Sequence, residues 1–66
     1  MKVTVQYYDK DPKKTQDAVA KVVAGKNLAI ETVSADFQTV EVGDSLAAKA
    51  LMKELAPVPN IQTQTA

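Results

Sequence analysis

The sequence predicts a small α+β domain, an antiparallel sheet with two helices on one of its faces. Three observations predict it: a period-two opening segment, two stretches of helical periodicity, and a pair of β-leaning segments between them. In Lys2 to Tyr8, Val3, Val5 and Tyr7 share one face while Lys2, Thr4, Gln6 and Tyr8 share the other. That alternation in β-branched and aromatic residues is the mark of a half-buried strand. Asp9-Lys10-Asp11-Pro12 breaks it, and Asp11 before Pro12 reads as an N-cap followed by proline in the first helical position. Thr15 is a rival start.

Thr15, Val19, Val22, Val23 and Lys26 then line one helical stripe with Ala18 beside it. Three valines are weak helix formers, so packing must hold this helix. Gly25 is placed to end it in the left-handed conformation, with Asn27 continuing the turn. Leu28 to Ser34 and Phe37 to Val42 read as two strands joined around Ser34-Ala35-Asp36. Their faces are not clean, because Phe37 falls opposite Val40 and Val42; a bulge, or Phe37 covering an edge, would reconcile them.

Gly43-Asp44-Ser45 stops the strand and caps a second helix. Ala48, Leu51, Met52 and Leu55 recur at helical spacing, Leu46 projects the other way, and Lys49, Lys53 and Glu54 face solvent. Pro57 and Pro59 end the helix. The chain divides into a domain over residues 1–56 and a proline-containing tail, 57–66, whose Ile61 to Thr65 alternation reads as an edge strand or a loose end. The order is β-α-β-β-α; counting the tail as a strand gives the ferredoxin-like arrangement. The expected core is Val3, Val5, Tyr7, Val19, Val22, Val23, Leu28, Ile30, Val40, Val42, Leu51, Met52 and Leu55.

What the chain lacks narrows its chemistry. Among 66 residues there is no Cys, His, Trp or Arg, and all eight basic residues are lysines. Disulfides and thiolate or imidazole metal sites are excluded, and so is the common catalytic base. Ser34 and Ser45 have no histidine to activate them; a lysine base needs desolvation, and Lys21 and Lys49 sit on polar helix faces. No catalytic residue, cofactor site or metal site is expected. Asp9, Asp11 and Asp17 depart from calcium-loop spacing and lie among lysines. A domain this small buries only about 60% of its unfolded surface, so association with a partner or a copy of itself is a natural source of added stability.

Eight acids balance eight lysines, which gives no electrostatic pull toward nucleic acid or an anionic membrane. The first eight residues lack the unbroken apolar stretch of a signal peptide, and no apolar run is long enough to span a bilayer. A cytoplasmic protein is expected. Lys10, Lys13 and Lys14 near the first helix suggest a phosphate grip, opposed by Asp9, Asp11 and the missing N–H of Pro12. Gln16 to Gly25 has the outline of half a helix-turn-helix, but Ile30-Glu31-Thr32-Val33 leans to strand where the second helix would lie. Tyr7, Tyr8 and Phe37 on strands suggest base stacking, without a cationic surround to support it and with Tyr7 in the core as the competing reading.

The candidate interaction surface is therefore Tyr8, Lys10, Lys13, Lys14, Leu46 and Ile61. The expected function is that of a small non-enzymatic protein-binding module, a regulator or inhibitor, acting on a protein partner or forming a dimer. The alternative is a nucleic-acid-binding regulatory domain that uses the lysine loop and the tyrosine strand.

Overall fold

In the computed structural model, which describes residues 1–65, six elements run in the order β1 (Lys2–Tyr7), α1 (Lys13–Gly25), β2 (Ile30–Ser34), β3 (Phe37–Glu41), α2 (Ser45–Leu55) and β4 (Ile61–Thr65). The strands form one antiparallel sheet in the order β2-β3-β1-β4. Each helix therefore joins two strands that have a third strand between them, which is the ferredoxin-like arrangement. Of the two readings of the tail, the edge strand is the one observed: Ile61 to Thr65 pair with Tyr7 to Val3.

The core lies between the sheet and the helices. Val3, Val5 and Tyr7 from β1 meet Val40 and Val42 from the β3 side, Val19 and Val23 from α1, and Ala48, Leu51 and Leu55 from α2. Ala48 belongs to this core although the expected set omitted it. Val22, Leu28, Ile30 and Met52, expected inside, are only partly buried at its margin. They sit toward the ends and sides of a layer too small to enclose every apolar residue.

Both ends of α1 differ from expectation. Pro12, not Asp11, is the N-cap and has no side-chain group to cap with, although Asp11 Oδ1 accepts from the Lys13 N–H at 3.4 Å. The Pro12 carbonyl accepts from the Gln16 N–H at 2.7 Å, while Thr15, the rival start, lies inside the helix and donates its hydroxyl to the Asp9 carboxylate. At the other end Gly25 is an ordinary helical residue, and the left-handed position belongs to Asn27, with φ of 59°. The Asn27 N–H reaches the Ala24 carbonyl at 3.0 Å and the Leu28 N–H reaches that of Val23 at 3.1 Å. These two bonds make a Schellman motif, and Leu28 completes it by folding against the core. Asparagine tolerates this conformation better than most residues.

The remaining junctions follow local chemistry. β2 begins at Ile30 rather than Leu28, because Leu28 is held by the helix end. Only Ala35 and Asp36 turn between β2 and β3. The bulge lies in β2, where Thr32 pairs with Gln38 and Ser34 with Phe37, leaving Val33 without an opposite residue. Phe37 is no edge cover, since β3 is an interior strand; it faces away from the helices. Asp44 caps α2, its carboxylate accepting from the Ala47 N–H at 2.8 Å. A Lys26–Glu54 ion pair at 2.7 Å ties the end of α1 to α2.

Candidate functional site

The helices cover one face of the sheet and leave the other open. Because β1 alternates, burying Val3, Val5 and Tyr7 sends Thr4, Gln6 and Tyr8 to the open side. The register places Phe37 opposite Gln6 on one flank, and Gln62 and Gln64 opposite Gln6 and Thr4 on the other. Together with Thr65 these residues line an open depression of about 370 Å³. Tyr8 is 62% exposed, and its hydroxyl donates to Gln62 Oε1 at 2.6 Å. The Gln6 amide donates to the Asp36 carbonyl at 3.1 Å and to its carboxylate at 3.3 Å. The Thr4 hydroxyl approaches the Gln64 carbonyl at 3.4 Å.

No charged residue lines this depression. The charges on this face lie outside the depression: Glu31 on β2 is opposite Thr39, and Lys2 pairs in register with Glu41 at the far end, where Glu41 also meets the terminal amine at 3.4 Å. The surface is thus one of amides, hydroxyls and two aromatic rings. It can hydrogen-bond and stack. Among the described residues, no cluster of three or more Asp, Glu, His or Cys is positioned to hold a metal ion.

The candidate residues from the sequence are scattered. Tyr8 stands on the open face, while Lys13 and Lys14 begin α1 in the layer on the other side; both lysines, and Lys10 in the loop before them, are exposed. Leu46, 75% exposed at the start of α2, follows the opposite end of the sheet from Tyr8. Ile61 is partly buried against the core instead of presented. Gln6, Phe37, Gln62 and Gln64 are the residues the candidate surface omitted. Gln6 falls in the polar phase of the alternation that marked Val3, Val5 and Tyr7, and Gln62 and Gln64 in that of the Ile61 to Thr65 segment, but only the register brings them together with Phe37.

No family model, curated protein or solved structure matches this chain. Among the described residues, no helix is long and apolar enough to cross a membrane.

Proposed function

We propose that the chain is a non-enzymatic protein-binding module, a small regulator or inhibitor, whose uncovered sheet face is the recognition surface. The observation that supports it most is the uncharged depression flanked by Tyr8 and Phe37. Protein interfaces are enriched in aromatic residues and depleted of charge at their centre, and the glutamine amides add directional bonds around these rings. The proposal sets the protein in the cytoplasm, on the absence of cysteine from its sequence.

A second reading draws on the same aromatics. Sheet surfaces that bind single-stranded nucleic acid stack bases on such side chains. Against it, those sites combine stacking with a cationic groove, and the lysines here lie mostly with the helices.

One experiment separates the two. The immobilised wild-type chain, a Tyr8→Ala/Gln64→Asp variant and a Lys21→Glu variant are challenged with cell extract and with a single-stranded oligonucleotide at low salt. The leading reading expects a protein retained by the wild type and by Lys21→Glu, and lost with the open-face variant. Retention indifferent to the open-face changes overturns it. Salt-sensitive retention of the oligonucleotide, lost with Tyr8→Ala/Gln64→Asp, supports the second reading.

A further inference from the structure

The sheet has two edges, and they are not alike. β2 is defended: a bulge interrupts its ladder between Thr32 and Ser34, and Glu31 places a charge in it. Such devices blunt an edge against pairing with another chain. β4 has neither device. Its sequence, Ile-Gln-Thr-Gln-Thr, carries no charge and no proline, and it runs in unbroken register along β1 for all five residues.

The hydrogen-bond phase shows which β4 groups look outward. The Tyr8 N–H bonds the Asn60 carbonyl at 2.9 Å, whereas the Tyr7 N–H turns to β3 and bonds the Asp36 carbonyl at 2.8 Å. Even-numbered residues of β1 therefore bond β4 and odd-numbered ones bond β3, as the alternation of an antiparallel ladder requires. Carried across the register, Gln62 and Gln64 bond β1, and the backbone N–H and C=O groups of Ile61, Thr63 and Thr65 point away from the sheet.

We propose that β4 is a self-association edge, joining β4 of one copy to β4 of a second, antiparallel about Thr63, into a continuous sheet with four strands from each copy. The phase is what such pairing needs. A two-fold axis at Thr63 sets Thr63 against its own image and Ile61 against Thr65, and these three residues own the outward groups. Gln62 then faces Gln64 of the second copy on the open side, as a closely spaced pair whose side-chain amides bond one another. A two-fold axis pairs the strand with its own copy, so a strand carrying charge of one sign meets that same sign. An uncharged one meets no penalty, which favours a second copy over a partner selected by charge. The inference is carried by the backbone at the edge and not by the sheet-face reading, although Gln62 and Gln64, which line the depression, also meet across the axis.

A five-residue edge is a small contact, so the dimer is weak and depends on concentration. Sedimentation from micromolar to millimolar protein, with amide exchange followed residue by residue, tests it. The expected result is a monomer–dimer equilibrium in which protection of the Ile61, Thr63 and Thr65 amides rises with concentration, while Gln62 and Gln64 are protected throughout. Thr63→Pro removes an outward N–H that makes no bond within the chain, so it should leave the circular dichroism unchanged and weaken the dimer roughly tenfold or more. Gln62→Lys/Gln64→Lys should weaken it as well, and Gln62→Lys/Gln64→Glu, which sets opposite charges across the axis, should restore it. The charge pair keeps the test decisive should Thr63→Pro fail to fold. A chain that stays monomeric at millimolar concentration, or a dimer indifferent to these changes, overturns the proposal. Loss of a captured partner with Tyr8→Ala but not with Thr63→Pro assigns that partner to the sheet face and leaves the edge to self-association.

Discussion

The Tyr7 hydroxyl donates to Gln38 Oε1 at 2.5 Å, on the side of the sheet that the helices cover. Gln38 in turn donates from Nε2 to the Thr32 hydroxyl at 3.2 Å, so one polar relay crosses β1, β3 and β2 beneath an apolar layer. Gln38 is only 7% exposed, and among the described residues no buried side-chain N or O atom lacks a partner. Satisfying both ends is what makes a buried glutamine tolerable.

Burial pushes the Tyr7 pKa up from 10.0 to about 12. The folded state therefore keeps a proton that the unfolded chain releases. The associated stability is fully present below pH 10 and is lost as pH rises from 10 to about 12, at about 1.4 kcal/mol per pH unit. Urea unfolding at pH 9 and pH 11, for wild type and Tyr7→Phe, checks this. The wild type should lose about 1.4 kcal/mol more than the variant between the two conditions. An equal loss in both would remove Tyr7 as the cause. Tyr7→Phe carries its own offset of about 1–3 kcal/mol at either pH, from the unpaired Gln38 oxygen.

Gly25 and Asn27 should respond in opposite directions. A Cβ on Gly25 would meet nothing within 4 Å, and its φ is not positive. Gly25→Ala is expected to stabilise by about 0.5–1 kcal/mol. Asn27→Ala places a poor left-handed residue at φ 59° and should destabilise by about 1 kcal/mol. Thermal melts of the two variants decide whether the turn belongs to Asn27.

The two helices begin on unequal terms. α2 has its Asp44 cap, and Asp44→Ala should lower stability by about 1 kcal/mol. α1 has no side-chain cap, no acid in its first turn, and starts with Lys13 and Lys14 against the positive end of its own dipole. Lys13→Glu should therefore raise stability by about 0.3–1 kcal/mol, and less in high salt. A loss of stability in low-salt denaturant melts would show that these lysines make compensating contacts.

Leu51 and Leu55 are the largest fully buried side chains. Leu51→Ala should cost about 2–5 kcal/mol, a large share of what a domain this small has to lose. The expected outcome is a variant substantially unfolded at room temperature, seen as collapsed amide dispersion. Leu46→Ala, at an exposed position, should change stability by less than about 0.5 kcal/mol.

The alternating and helical phases of this chain were legible because burial on one face leaves a regular imprint on the residues that make it. Val3-Val5-Tyr7 and Ala48-Leu51-Leu55 carried most of the architecture. What escaped were features that depend on where the backbone goes after an element ends. The left-handed turn at Asn27 rather than Gly25 is one, and the position of the bulge, at Val33 in β2, is another. The open face was half legible. Tyr8 stood out as an exposed aromatic, but Gln6, Gln62 and Gln64 look like any polar residues until the register sets them side by side.

The sheet order also has a consequence for the nascent chain. β1 sits between β3 and β4, so both of its neighbours are made after it, and the β4 side only after α2. As it emerges from the ribosome, Val3-Thr4-Val5-Gln6-Tyr7 is an apolar, β-prone ribbon with two bare edges. It must be shielded, or kept from pairing with a neighbouring copy, for as long as translation takes to deliver β3 and then β4.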